Sequence, residues 1–211
     1  MLKKIKHLSL AVPLIVGAIS VQAKPLSLER IFDDPSLSGK SPVQLKFSPD
    51  GSRVTYLQGK TDDYNRYDLW EYNLEDNTNR VLVDSAELFS GPENLSDEEK
   101  ARRERQRIFG KGILEYTWST DGKALLFPLN GDLYYYDLAS AKSKKLTNTD
   151  AFETDARFSP KGNYVSFIRE QNLYALALNS GEEIQLSQDG GGVIKNGMAE
   201  FVAQEEMSRM T

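Results

Sequence analysis

The chain has 211 residues, of which 39% are hydrophobic, so one large or two small folded domains are allowed. Its 26 basic residues are outnumbered by 31 acidic ones, which argues against a nucleic-acid partner because phosphate binding needs a basic surface. Cysteine is absent and histidine occurs once, at His7, so disulfides and thiol nucleophiles are excluded and zinc sites of the usual ligands are disfavoured.

The N-terminus has the pattern of a secretory signal. A basic start at Lys3, Lys4 and Lys6 precedes a short apolar stretch, residues 8–19, and small residues stand at Val21 and Ala23. We therefore predict a signal peptide over residues 1–23. The alternative, a membrane anchor, is disfavoured because spanning a bilayer takes about 20 apolar residues. Cleavage after Ala23 would give an exported, bacterial periplasmic protein without histidine, for which we expect no membrane association, no metal site and no cofactor.

A turn is repeated three times along the rest of the chain. The second and third copies begin 40 residues apart, and each copy is followed by a β-rich run, an alternating strand and a last short strand. The step from Leu69, Leu133 and Leu173 to the leucine of that last strand is 13 residues in every copy. The copies are Phe47-Ser48-Pro49-Asp50-Gly51, Trp118-Ser119-Thr120-Asp121-Gly122 and Phe158-Ser159-Pro160-Lys161-Gly162.

Each repeat predicts one blade of a β-propeller. Pro, Asp and Gly favour a tight turn, and the alternation of apolar and polar residues is typical of half-buried antiparallel strands. Four short strands in about 40 residues correspond to one blade. We predict an all-β fold over residues 24–211, a partial β-propeller of about three four-stranded blades with a buried aromatic residue heading each turn. A meander or sandwich with accidental repetition is the alternative.

The first blade is interrupted twice, by a polar loop at residues 60–65 and by an insertion at residues 86–115. The insertion has the pattern of a charged helix, with Ser96 and Glu99 as a capping box at its start and arginines toward its end. Two interpretations stay open. The helix is either solvated and held by pairs such as Glu99 with Arg103, or it lies over a cavity and points one arginine at a ligand.

The last segment changes from strand to helix. Gly190, Gly191 and Gly192 end the last strand, and residues 198–207 predict a short helix with an apolar stripe at Met198 and Val202. Its end carries Glu205 and Glu206 side by side. A pair of neighbouring glutamates on a helix is weak evidence of function by itself.

Four features, in this order, resemble the N-terminal part of dipeptidyl peptidase IV-type serine exopeptidases of the prolyl oligopeptidase superfamily. They are the opening Leu26-Ser27-Leu28-Glu29-Arg30-Ile31-Phe32, the propeller turns, the run Arg103-Glu104-Arg105-Gln106-Arg107-Ile108, and Glu200-Phe201-Val202-Ala203-Gln204-Glu205-Glu206-Met207. The resemblance implies a β-propeller, described as eight-bladed in this family, that caps an α/β-hydrolase domain with a Ser-Asp-His triad.

The resemblance also implies roles for particular residues. Glu205 and Glu206 would hold the free α-amino group of a peptide substrate, and an arginine would contact its backbone carbonyl. That arginine corresponds best to Arg107, with Arg103 and Arg105 also open. Such an enzyme removes N-terminal dipeptides, with proline expected at the second position.

The chain departs from the family pattern in one respect. It contains no Gly-x-Ser-x-Gly motif, so we expect the catalytic hydrolase domain to be missing, no catalytic residue to lie in this chain, and the chain to be a fragment. Its partners would be peptides with a free N-terminus, and a homodimer is one option for the full-length protein. The alternative function is a non-catalytic periplasmic propeller that serves as a binding scaffold.

Overall fold

The computed structural model describes residues 25–33, 36–93, 95 and 97–207, without the side chains of Glu98, Phe201 and Glu205. The predicted signal peptide and Ser96 lie outside these residues. Two compact units divide the chain after Asp34. In the first unit, helix α1 (Leu28–Phe32) begins after Ser27, whose hydroxyl accepts a hydrogen bond from the Arg30 amide. Among the helices of the described part, none is long and apolar enough to cross a membrane.

The second unit contains three antiparallel sheets that follow one another along the chain, as the repeats predict. Blade 1 consists of β1 (Val43–Phe47), β2 (Arg53–Gly59), β3 (Arg66–Asn73) and β4 (Thr78–Val83), with the short β5 (Lys111–Gly112) parallel to β3. Blade 2 consists of β6 (Thr117–Trp118), β7 (Ala124–Leu129), β8 (Asp132–Asp137) and β9 (Lys142–Lys145). Blade 3 consists of β10 (Glu153–Phe158), β11 (Tyr164–Arg169), β12 (Asn172–Ala177) and β13 (Glu183–Gln185).

Three helices lie between or after the blades. Helices α2 (Ser85–Leu88) and α3 (Asp97–Arg105) belong to the insertion between blades 1 and 2, and α4 (Phe201–Glu206) follows blade 3. The N-terminus of α4 is capped by Glu200, whose carboxylate accepts hydrogen bonds from the amides of Val202 and Ala203. The predicted C-terminal helix is therefore confirmed, although it starts three residues later than expected.

The repeated turn is built from local hydrogen bonds. In blade 1 the Ser48 hydroxyl donates to Asp50 at 2.5 Å, and the Asp50 carboxylate also accepts from the Ser52 amide at 3.0 Å. Ser119 and Asp121 form the same pair in blade 2 at 2.7 Å. The three glycines of these turns have φ between 69° and 72°, a left-handed conformation that glycine adopts without steric cost.

Alternation along the strands directs side chains into two separate cores. On β7, Leu125 and Phe127 face a core shared with blade 1, whereas Leu126 between them faces a core shared with blade 3. Because both faces of blade 2 are covered, four consecutive residues, 124–127, are almost fully buried. The blades therefore stack face to face, which is the arrangement that propeller repeats need.

The prediction of a buried aromatic residue at the head of each turn is wrong for the first copy. Trp118 and Phe158 pack against the two cores, but the side chain of Phe47 is 68% exposed. Phe47 lies in β1 and is not part of either core formed by the described residues. The same residue type is therefore buried only where an adjacent blade covers it.

The direction of the strands determines at which of the two ends of a blade each connection lies. Since neighbouring strands are antiparallel, the repeated turns lie at one end, here called the turn end. The hairpins between second and third strands and the connections that lead out of each blade lie at the other, here called the connection end. The described parts of the loop at 60–65, the insertion and residues 186–200 are thereby placed at the connection end.

Candidate functional site

The connection end carries a cavity with a volume of about 570 Å³. One helix and three other segments form its wall. The helix is α3, which contributes Glu99, Arg102 and Arg105. The other segments are the link between blades 2 and 3 at 150–154, the hairpin at 168–172, and residues 190–198, which precede α4. The wall mixes charged, amide and apolar side chains, as expected for a site that binds a partly polar ligand.

Helix α3 buries an ionic face. Glu99 is only 4% exposed and accepts hydrogen bonds from Arg102 at 2.7 and 2.9 Å and from Arg103 at 2.8 Å. Arg103 also donates to Glu93 at 2.9 Å. The predicted pair of Glu99 with Arg103 is thus confirmed, but this side of the helix is not solvated, because the side chains of Glu99, Arg102 and Arg103 are all largely buried.

These contacts change the electrostatics of the arginines. Burial by itself lowers the pKa of Arg102, but its hydrogen bonds to Glu99 and the charge of Glu115 outweigh burial and raise the pKa. Burial raises the pKa of the half-buried Glu115, and Arg102 opposes this rise. Glu115 lies 3.8 Å from Arg102. One carboxylate oxygen of Glu115 is buried without a hydrogen-bond partner among the described residues.

Helix α4 meets the end of α3 through one side-chain contact. Arg105 donates a hydrogen bond to the side-chain oxygen of Gln204 at 3.0 Å, across 99 residues of sequence. Gln204 is 6% exposed, and its amide nitrogen donates to the backbone oxygen of Ala199 at 2.7 Å. The contact brings an arginine of the insertion next to the residue that precedes the two glutamates.

The hairpin at the cavity wall is strained. Glu170 and Gln171 both have left-handed backbones, with φ of 47° and 62°, where blade 2 has Asn130 and Gly131. A non-glycine residue in this conformation costs about 1 to 2 kcal/mol. Gly190 packs directly on this hairpin, because a Cβ atom at Gly190 would lie 2.3 Å from the backbone oxygen of Gln171.

The predicted site residues are only partly brought together. Arg107 has an exposed side chain and a left-handed backbone, with φ of 53°, just beyond α3. Glu206 is exposed, and the side chain of Glu205 lies outside the description. Within the described part, the cavity wall includes Arg105 but neither Arg107 nor Glu206.

Sequence reasoning missed the buried role of Gln204 and of Arg102. Arg102 could have been recognised from its spacing to Glu99, since residues three apart meet on a helix. For Gln204 the sequence offers no signal, because its partner Arg105 is remote along the chain. Across the described residues, no group of three or more His, Cys, Asp or Glu side chains could hold a metal ion.

Comparison with known proteins gives a family match over the C-terminal part of the chain. Residues 111–211 match the family model of the dipeptidyl peptidase IV (DPP IV) N-terminal region. Over these residues the chain is similar to this region of DPP IV. Within the DPP IV-like region, the match includes blades 2 and 3 and helix α4, but not α3.

Individual relatives extend the similarity over most of the chain. Probable dipeptidyl-aminopeptidase B from Emericella nidulans is 23% identical over 187 residues, covering 87% of this chain and 20% of the fungal protein. Probable dipeptidyl peptidase 4 from Aspergillus flavus is 23% identical over 211 residues, covering 97% of this chain and 26% of that protein. The chain therefore spans about a fifth to a quarter of the length of these DPP IV relatives.

A solved structure supports the fold. The crystal structure of Porphyromonas gingivalis dipeptidyl peptidase 4 superposes with a TM-score of 0.56 at 20% identity, covering 89% of this chain and 25% of that chain. At this identity the likeness concerns the fold alone. It agrees with three stacked antiparallel sheets as part of a propeller.

Proposed function

We propose that this chain is the substrate-anchoring part of a serine-type dipeptidyl peptidase that removes dipeptides from the N-termini of peptides. The observation that carries the proposal is the contact between Arg105 and Gln204, which joins the arginine helix to the glutamate helix beside a cavity. The relationship to the DPP IV N-terminal region supports it. The signal-like N-terminus supports action in the bacterial periplasm.

Glu205 and Glu206 would select the free N-terminus of the substrate. A peptide α-amino group has a pKa of about 7.7 to 8.0, so near neutral pH much of it is a cation. Two neighbouring carboxylates repel each other, and an ammonium group relieves this repulsion through charge-assisted hydrogen bonds. An internal peptide bond carries no such charge and is rejected.

An arginine of the insertion would hold the substrate backbone. Arg105 is the stronger candidate because it lines the cavity and touches α4. Arg102 and Arg103 are already engaged by Glu99. Arg107 stays a candidate from the family resemblance, and its exposed position lies beyond the described cavity wall.

The anchored amino group would set the position of cleavage. Two residues of extended chain span about 7 Å, so a nucleophile at that distance from the glutamates releases dipeptides. We propose that an α/β-hydrolase module outside these residues supplies this nucleophile.

The proposal is tested on the protein as it occurs naturally, including any part that lies outside these residues. Cleavage of a dipeptide reporter is measured for the variants Glu205→Gln and Glu206→Gln, with Glu182→Gln as control, since Glu182 is an exposed glutamate at the turn end. Each site variant should lose roughly tenfold or more in kcat/KM, the value of a hydrogen bond to a charged group. In the unmodified protein, KM should rise above about pH 8 as the substrate ammonium deprotonates.

Three results would count against the proposal. Equal activity of all three glutamate variants would remove the glutamates from the site, and no reporter cleavage by the unmodified protein would favour the binding scaffold. If an N-acetylated reporter is cleaved at the same rate as the reporter with a free N-terminus, the protein does not recognise the ammonium group. Arg105→Lys and Arg107→Lys, compared in the same assay, decide which arginine contacts the substrate.

A further inference from the structure

Gln204 occupies an unusual position for a glutamine, because it is buried on a short helix that also carries exposed side chains. Its side chain is 6% exposed, whereas its α4 neighbours Val202 and Glu206 are both exposed. A buried amide is costly unless its donor and acceptor are both satisfied. Gln204 has a partner at each end of its amide, with Arg105 donating to its oxygen and Ala199 accepting from its nitrogen.

The two partners fix the orientation of the amide. Arginine only donates hydrogen bonds, and a backbone oxygen only accepts them. The side-chain oxygen of Gln204 must therefore face Arg105, and its nitrogen must face Ala199. The hydrogen bond from the amide nitrogen to Ala199 fixes the orientation of the side chain. The side-chain oxygen is therefore a fixed acceptor that limits where the guanidinium of Arg105 can lie.

The other arginines of α3 point to different partners. Arg102 is engaged by Glu99 and Gln106, and Arg103 by Glu99 and Glu93. Among the described contacts of these arginines, the hydrogen bond of Arg105 is the one that reaches α4. An arginine has many rotamers, and a group that must meet a substrate benefits from being held in one of them.

We propose that Gln204 is a positioning residue that holds Arg105 at the cavity, beside the glutamate pair, and thereby improves peptide binding without touching the substrate. The inference rests on the proposed function for its effect on activity. The contact between Gln204 and Arg105 can, however, be tested without an activity assay.

The test uses the natural protein that carries this chain and two readouts. The variant Gln204→Met keeps the length of the side chain and removes both hydrogen bonds, and Gln185→Met, at an exposed position of β13, is its control. We expect KM for a dipeptide reporter to rise about tenfold in Gln204→Met, with kcat changed much less. Combining Gln204→Met with Arg105→Met should then add nothing to Arg105→Met alone.

The second readout is the rate at which an arginine-selective dicarbonyl reagent modifies Arg105, followed by peptide mass spectrometry. Gln204→Met should speed this modification several-fold, whereas Gln204→Glu, which keeps an acceptor for Arg105, should leave it near the original rate. Gln204→Glu also keeps the test decisive if Gln204→Met does not fold, because faster modification in Gln204→Glu would contradict the proposed contact.

The outcomes separate the two proposals. Unchanged KM and unchanged modification in Gln204→Met would overturn the positioning role, as would additive effects in the double variant. If Glu205→Gln and Glu206→Gln keep full activity while Gln204→Met still speeds modification of Arg105, the peptidase proposal fails and the positioning of Arg105 stands.

Discussion

The ion-pair cluster in blade 3 allows a quantitative prediction. Arg169 is 9% exposed and donates to Glu153 at 2.7 Å and to Glu183 at 2.7 and 2.8 Å. Its guanidinium also stacks over the rings of Phe167 and Tyr174, at 5.1 and 4.8 Å from their centroids. Glu153 is 1% exposed, so its charge depends on Arg169 for compensation.

Replacing Arg169 by methionine keeps most of the packing and removes the charge. Glu153 would then keep only the hydroxyl donors of Thr147 and Thr149. Removing one partner of a buried ion pair costs about 3 to 5 kcal/mol. We expect the free energy of unfolding to fall by this amount at pH 7.5, measured by urea denaturation.

A second substitution separates charge from packing. In Arg169→Met with Glu153→Gln no buried charge is left, so we expect most of the lost stability to return. If the double variant is as unstable as Arg169→Met, the loss comes from packing against the two rings and the electrostatic explanation is wrong.

The pH dependence gives an independent check. Burial raises the pKa of Glu153, and hydrogen bonds from Thr149 and Arg169 hold this rise down. Without Arg169 the folded-state pKa of Glu153 should rise further above its unfolded value. The penalty then grows as the pH increases from the ordinary carboxyl range toward the folded-state pKa. Arg169→Met should therefore lose less stability, relative to the unmodified protein, at pH 5 than at pH 7.5.

Three further predictions concern the cavity wall and the blade interface. Glu115→Gln should raise the melting temperature more at pH 7.5 than at pH 5, because burial raises the pKa of Glu115 and its ionised form is the costly one; an equal gain at both pH values would refute this. Gly190→Ala should lower the free energy of unfolding by about 1 to 3 kcal/mol, since the new Cβ would lie 2.3 Å from the backbone oxygen of Gln171; unchanged urea denaturation would contradict the close packing. Trp118→Phe should cost about 1 kcal/mol in the same assay, because it removes the hydrogen bond from the indole to Thr55 at 2.9 Å, and a neutral result would show that this contact between blades 1 and 2 adds nothing.

Local patterns predicted the blades well. The turn residues act on their own backbone, as the bonds of Ser48 and Asp50 show, so their effect does not depend on the rest of the chain. Strand alternation likewise needs only neighbouring residues, and the alternating strand predicted after each turn is present in all three blades, as β3, β8 and β12. The short helix at the end was found for the same reason.

Features that depend on remote partners could not be predicted. Phe47 has the same local pattern as Phe158 but lacks a described blade on its side, so it is exposed. The ionic face of α3 is buried by the fold of the insertion, which its own charges do not determine. The arginine that reaches α4 is Arg105, through its hydrogen bond to Gln204, which no spacing within the helix could show.

The separation of the two ends has a consequence for protein engineering. The short turns at one end repeat the same backbone hydrogen bond in all three blades, whereas at the other end the links between blades differ in length and the hairpin of blade 1 is longer than the other two. New ligand specificity could be introduced by exchanging or lengthening the variable segments while the repeated ones are left alone. A library restricted to the exposed positions within residues 60–65, 86–115 and 186–200 would therefore explore binding at little risk to the framework.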